Sequence, residues 1–212
     1  MRRLPLFPLG TVLVPTAVLP LHIFEPRYRA LMADIAGGDD HLRDDAEFGV
    51  VLITRGSEVG GGDTRAGVGT VARLLEATRL PDGRWVIAVV GTRRFRVERW
   101  LADAPYPLAE VDELDEQPWD AGDAGLLVAT ERRVRRALAL AAEAGEPGVP
   151  VTFELDDDPV EAAWQLTALA PVGAHDRQRL LELDAHADRL RLAGGLVEEV
   201  AQLLARRLGG AE

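Results

Sequence analysis

The sequence contains no cysteine and no lysine, and its only serine is Ser57. Without cysteine there are no disulfides, no thiol nucleophile and no thiolate metal site. All 24 basic residues are arginines, which excludes a Schiff-base amine, a Walker-type phosphate-binding lysine and a Ser–Lys dyad. Ser57 lies in a glycine-rich segment without the G-x-S-x-G elbow of an activated nucleophile, so it reads as a solvated loop hydroxyl. No stretch reaches the roughly 18 continuous apolar residues of a membrane span, and no internal repeat of solenoid period is present. Arg2 and Arg3 precede an apolar run in the manner of a secretory signal. Pro5, Pro8, Pro15 and Pro20 break the helix such a signal needs, and no small-x-small cleavage site follows, so a cytoplasmic location is expected.

What is present is a chain of 212 residues with 47% apolar content, enough for one large domain or two small ones and typical of a soluble globular protein. The net charge of −11 repels phosphate backbones and disfavours nucleic acid as a partner unless a local basic patch overrides it.

The most apolar segment is LPLFPLGTVLVPTAVLPLHIFEPRY, residues 4–28. Prolines every few residues rule out one long helix, so the runs between them read as short, edge-like strands. Pro26 suits the first position of a helix, and Tyr28, Leu31, Met32 and Ile35 follow at helical spacing, predicting a helix over 26–36. FGVVLIT at 48–54 reads as a buried strand, and RGSEVGGGDTRAG at 55–67 as a surface loop. Pro81-Asp82-Gly83 is turn chemistry between two β-branched runs, predicting a hairpin over 68–91. TRRFRVERWL then alternates as a further half-buried strand, with Arg94, Arg96 and Glu98 on one side and Phe95, Val97 and Arg99 on the other. PLAEVDELDE closes the β-rich part. Helices are predicted at about 126–144, 158–169, 174–184 and 187–208. Asp158-Pro159-Val160-Glu161 starts the second in capping-box fashion, and Leu196, Val197, Val200, Leu203, Leu204 and Leu208 form the packing stripe of the last.

Candidate chemistry is sparse. Gly67-Val68-Gly69-Thr70-Val71-Ala72 matches the G-x-G-x-x-A string of dinucleotide sites, but the mechanism needs a strand before the glycines and a helix after them. Here a loop precedes and a strand follows. Asp39, Asp40, His41, Asp44 and Asp45, and separately Asp156, Asp157 and Asp158, lack metal-ligand spacing; the first set reads as a solvated charge run and the second as a helix cap. His22, inside the apolar opening, is expected to be a strand histidine bonded to backbone. Arg93, Arg94, Arg96 and Arg99 with Phe95 and Trp100 have the composition of a nucleic-acid platform, against which stands a solvent face balanced by Glu98, Glu110 and Asp112.

LPLFPLGTVLVP, LPLHIFEPRY, VGTVARLLEATRLPDGRW and GTRRFRV, followed by DDPVEAAWQLTALAP and RQRLLELD, resemble in order the amino-terminal, substrate-binding domain of the Lon protease family. The resemblance runs from Leu4 to about Leu208, with LPLHIFEPRY its most specific part. It implies an α+β fold: a PUA-like, partly open β-barrel over 1–117 with helix 26–36 packed on it, followed by a C-terminal helical bundle over 118–212. It also implies a protein or peptide recognition module that captures exposed or unfolded segments of client proteins, with a protease or chaperone as an associated partner and no membrane. The sequence stops before any AAA+ module, has no G-x-x-x-x-G-K-S/T string and lacks the lysine of the family's peptidase dyad, so a freestanding, non-catalytic form without cofactors is expected. In this reading client segments dock in a groove between barrel and bundle. Phe24, Glu25, Arg27 and Tyr28 at the strand–helix junction are the first-choice binding residues, and Arg94 and Phe95 the second. The structural alternative is that Glu25 and Arg27 only tie the helix down and Tyr28 only fills the core. RNA binding through the PUA relationship and small-molecule binding are the other function classes, and the oligomeric state stays open.

Overall fold

A computed structural model describes residues 1–36, 46–56, 62–146 and 152–209. Among them are six strands and five α-helices: β1 (Arg2–Leu9), β2 (Val18–Ile23), α1 (Pro26–Ala36), β3 (Glu47–Arg55), β4 (Thr64–Arg79), β5 (Trp85–Trp100), β6 (Leu108–Leu114), α2 (Ala124–Glu143), α3 (Pro159–Leu169), α4 (Ala174–Glu182) and α5 (His186–Gly209). The architecture is α+β, a mixed sheet with helices, and the chain divides into two compact units, Met1–Asp115 and Glu116–Glu212. Ser57 and the acidic run from Asp39 to Asp45 lie outside the described residues.

In the first unit the strand order is β2-β5-β4-β3-β1-β6, with β6 pairing back onto β5. Only β1 and β3 run parallel; the other pairs are antiparallel. The pairings β1–β3–β4–β5–β6–β1 therefore close into a circuit, and β2 hangs from the first half of β5. Two strands change partner along their length. Residues 2–5 of β1 pair with β6 and residues 6–9 with β3; residues 85–90 of β5 pair with β2 and residues 94–100 with β6. Proline cannot donate to a ladder. Accordingly, among the described residues Pro5 is paired only with β6, Pro8 only with β3, and Pro20 lies in β2, whose only neighbour is β5. These prolines fall where one edge of the strand is open.

Three expectations need correction here. The strand expected over 92–101 is continuous with the second arm of the hairpin, as the single sixteen-residue β5. The expected loop ends earlier, because Thr64–Gly67 already belongs to β4. The in–out alternation of β5 also breaks, since Arg94 and Phe95 are both fully buried. A register irregularity between Thr70 and Ala72 on β4 faces this stretch, just where β5 passes from β2 to β6, and a bulge re-aims side chains against the pleat.

Arg93 and Arg99 are ion-paired. Arg93 bonds Glu47 through both terminal nitrogens at 2.9 Å and also pairs with Glu113, while Arg99 pairs with Glu110 at 2.9 Å. Arg2 joins the same group, 3.2 Å from Glu47 and 3.0 Å from Glu113, so four charges tie β1, β3 and β5 to the last strand. The Arg93 hydrogen bonds hold the Glu47 carboxyl below its ordinary value of 4.5 against the opposing effect of burial, with Arg2 adding to the pull. A carboxyl depressed in the folded state stabilises fully above its unfolded pKa, and that contribution is lost as pH falls through the lower folded value. Glu47→Gln is therefore expected to lower the unfolding midpoint at neutral pH, with the gap to the parent narrowing as the pH falls below the ordinary glutamate range and through the lower folded value. Thermal melts of the two proteins at pH 7 and in acid check this; a gap of equal size in both would dissociate Glu47 from the arginines.

In the second unit, Asp158 caps α3 by accepting from the Val160 and Glu161 amides with Pro159 in the first turn, but the reciprocal half of the expected capping box is replaced: the Asp158 amide donates to Asp156 Oδ1 at 2.9 Å and not to Glu161. Helix α5 buries Leu190, Ala193, Val197, Ala201 and Leu204. Leu203, expected in this stripe, is 62% exposed: at about 100° per residue, a face that carries 197, 201 and 204 leaves 203 to one side.

Candidate functional site

The junction between β2 and α1 is built from backbone outward. Ile23 ends β2 in the core, Phe24 follows outside both elements with 53% of its surface exposed, and Pro26 opens the helix. The Glu25 carbonyl accepts from the amides of Tyr28 and Arg29 at 3.1 and 2.9 Å, which fixes the first turn that the missing proline N–H leaves open. The Glu25 carboxylate accepts from Arg27 Nε at 3.1 Å, and the Arg27 guanidinium carbon lies 4.5 Å from the centre of the Tyr28 ring. Tyr28 is 3% exposed and meets Phe7 edge to face with ring centres 4.0 Å apart. Burial pushes its phenol up to about 12, so the ring is a neutral pin between α1 and β1.

A cleft of about 220 Å³ opens beside this junction. Phe7, Pro8 and Leu9 of β1 and Pro20, Leu21 and His22 of β2 form its walls, with Phe24, Glu25 and Tyr28 completing the lining. Among the described residues both wall segments are paired on one side only, β1 to β3 here and β2 to β5, so the cleft runs along open strand edges. An open edge offers backbone donors and acceptors to an extended chain. The cleft can therefore combine apolar contact with main-chain pairing, and Glu25 is the only acidic residue in its lining.

The structure brings together Phe24, Glu25 and Tyr28 in the cleft lining and sets Arg27 behind them as a brace on Glu25 and Tyr28. It removes Arg94 and Phe95 from any surface: both are fully buried, Phe95 among Leu4, Leu6, Val51, Val71 and Val111. His22 is a strand residue of β2, as expected, but it is exposed, with its ring 6.3 Å from that of Phe24, where a side chain bonded to backbone was expected. The β1 and β2 walls are the part that residue-level reasoning missed, although Pro8 and Pro20 already marked them as unpaired edges. The G-x-G-x-x-A string lies wholly within β4, without the helix N-terminus that would meet a pyrophosphate. Asp158 is engaged as a helix cap. Among the described residues no group of three or more His, Asp or Glu side chains is placed to hold a metal, and no helix is long and apolar enough to cross a membrane.

A family model described as the ATP-dependent protease La (LON) substrate-binding domain matches residues 3–199. The chain belongs to this family. Its Lon relatives include Lon protease 2 of Herpetosiphon aurantiacus, 31% identical over 89% of this chain and 23% of the relative, and the Lon protease of Escherichia coli, 28% identical over 95% of this chain and 25% of the relative. The chain thus spans about a quarter of the length of the curated Lon proteases it matches. Among solved structures, the Lon N-terminal domain protein from Xanthomonas campestris aligns with a TM-score of 0.62 at 28% identity, covering 90% of this chain and 96% of that one. The N-terminal domain of a Mycobacterium avium complex Lon protease aligns with a TM-score of 0.63 at 22% identity, over 93% and 98% of the two chains, and supports the fold. In this Lon-family chain the LPLHIFEPRY segment supplies the second wall of the cleft and the start of α1.

Proposed function

We propose that this chain is a non-catalytic recognition module that takes extended, apolar segments of client proteins into the cleft between β1 and β2. The observation that carries the reading is the coincidence of an exposed Phe24, an apolar lining and two strand edges with partners on one side only. Membership of the Lon substrate-binding family supports it, as does the absence of lysine and of a Walker A string from these 212 residues. In this reading the closed strand circuit corresponds to the PUA-like barrel, residues 118–212 to the helical bundle, and client capture serves a protease or chaperone in the cytoplasm. RNA recognition through β5 has less support, because Arg93 and Arg99 are neutralised by acidic partners and Arg94 is buried.

Fluorescence anisotropy with a labelled, unstructured apolar peptide tests the site. Phe24→Ala removes an exposed side chain and leaves the core intact, unlike Tyr28→Ala. Burying a phenylalanine against a ligand is worth on the order of 1.5–3 kcal/mol, so affinity is expected to fall about tenfold or more. A peptide N-methylated at alternate residues should bind more weakly still, because it cannot pair with a strand edge. Unchanged affinity for Phe24→Ala, with an unchanged circular dichroism spectrum, would refute the cleft as the docking site.

A further inference from the structure

A second cleft, of about 370 Å³, lies on another face of the same helix. Pro26, Arg29, Ala30 and Ala33 of α1 form one side, and Arg79, Gly83 and Trp85 at the tip of the β4–β5 hairpin form the other. Its volume falls in the range of small-ligand sites, on the order of 300–1,000 Å³. Among the described residues two guanidinium groups line it and no carboxylate does. Neither Arg29 nor Arg79 is ion-paired among the described residues, a condition shared with the exposed Arg55, Arg73 and Arg96 of the same unit, whereas Arg2, Arg27, Arg65, Arg84, Arg93 and Arg99 are paired. The nearby Asp82 carboxylate is occupied by Arg84, taking its amide at 3.1 Å and its Nε at 2.7 Å; Arg29 contributes only weakly to the field that holds Asp82 ionised.

The arrangement is built. Gly83 has φ +82°, which favours glycine, and a Cβ there would collide with the Arg29 guanidinium, 2.9 Å from its Cζ. The turn glycine thus lets the Arg29 side chain lie across the hairpin tip. Arg79 stands with its guanidinium carbon 5.9 Å from the centre of the Trp85 ring, so charge and aromatic surface are presented together. Ala30 and Ala33 leave the floor open.

We propose that this cleft recognises an acidic segment of a partner protein, one or two carboxylates beside an aromatic or apolar residue. A guanidinium fork matches a carboxylate in two hydrogen bonds, and the cleft presents two forks with no internal acid to compete. Trp85 receives the neighbouring apolar side chain. The occupant is a short local acid and not a nucleic acid, because a net charge of −11 opposes a long polyanion while leaving a two-charge contact nearly unaffected. The inference stands on residues separate from those of the β1–β2 cleft and does not depend on it.

The test measures anisotropy of two labelled peptides that differ only in a Glu-Glu-Phe or a Gln-Gln-Phe core, against the whole chain. The acidic peptide is expected to bind at least tenfold tighter, with the difference shrinking as salt rises. Arg79→Gln, at an exposed position, should abolish the preference with an unchanged unfolding midpoint, and Arg29→Gln should do the same. Arg79→Lys should recover only part of it, for want of the planar fork. Binding of the uncharged apolar peptide at the other cleft should be unaffected by these variants, so failure of one site is distinguishable from failure of the other. Equal affinity for the two peptides would overturn the proposal, as would a preference that survives both glutamine variants or a single-stranded oligonucleotide that binds more tightly than the acidic peptide.

Discussion

Gly69→Ala is expected to destabilise the first unit by about 3 kcal/mol, the upper end for an overpacked site, while Gly67→Ala, two residues away on the same strand, is expected to be neutral or slightly stabilising. A Cβ on Gly69 would collide with the backbone carbonyl of Val50 and stand 2.6 Å from Phe95 Cζ and 2.7 Å from Val51 Cγ1. The obstructing carbonyl is fixed in the ladder, since Val50 pairs with Thr70 and Val51 with Gly69, so no flexible side chain can absorb the clash. A Cβ on Gly67 would meet nothing within 4 Å, and alanine in place of a strand glycine reduces the entropy lost on folding. Urea denaturation of the two variants decides the matter. If they are equally stable, Phe95 does not pack on the strand as described. The two glycines that imitate a nucleotide-binding string therefore differ in role: one admits the Phe95 ring and the other is simply exposed in β4.

Arg189→Met should cost the second unit about 3–5 kcal/mol, the range for leaving buried polar partners without their cation. Arg189 is fully buried in α5 with its guanidinium carbon 3.5 Å from the centre of the Trp164 ring. It donates to the Leu183 carbonyl at 2.7 Å and lies 3.8 Å from the Glu116 carboxylate. With its proton on Nε2, His186 donates to the Gln117 carbonyl at 2.7 Å and offers Nδ1 to Arg189 at 3.3 Å. One arginine thus joins the start of the unit to α3 and α5. Arg189→Lys is expected to recover little, because an ammonium cannot stack flat on the indole while reaching several acceptors. Equal stability of the lysine variant and the parent in chemical denaturation would show that charge alone suffices.

Local signals were legible where a residue's own chemistry sets the backbone. Pro26 starts α1, Pro81 to Gly83 turn the hairpin and Asp158 caps α3. The buried arginines were not, because Arg94 and Arg189 occupy positions in patterns that assign every charge to solvent; Arg189 is held inside by the Trp164 ring and the Glu116 carboxylate as well as by the nearby Leu183 carbonyl. Leu203 fails in the opposite sense, an apolar residue just off the face that α5 uses. The candidate site was half legible. Phe24, Glu25 and Tyr28 fall within five residues of sequence and stand together in space, whereas Arg29 meets Arg79 and Trp85 only after β4 and β5 bring the hairpin tip to the helix. No periodicity in a single segment encodes such a meeting.

The closed strand circuit also orders the birth of the molecule. Residues 2–5 pair with residues 108–111, so β1, made before the other five strands of this sheet, is among the last to complete its ladder. Until β6 has emerged, the segments of β1 and β5 that await it remain open templates for any other strand. A nascent chain halted before Leu114 would be a candidate for capture by chaperones, in the same unfolded condition that its finished form is proposed to recognise in others.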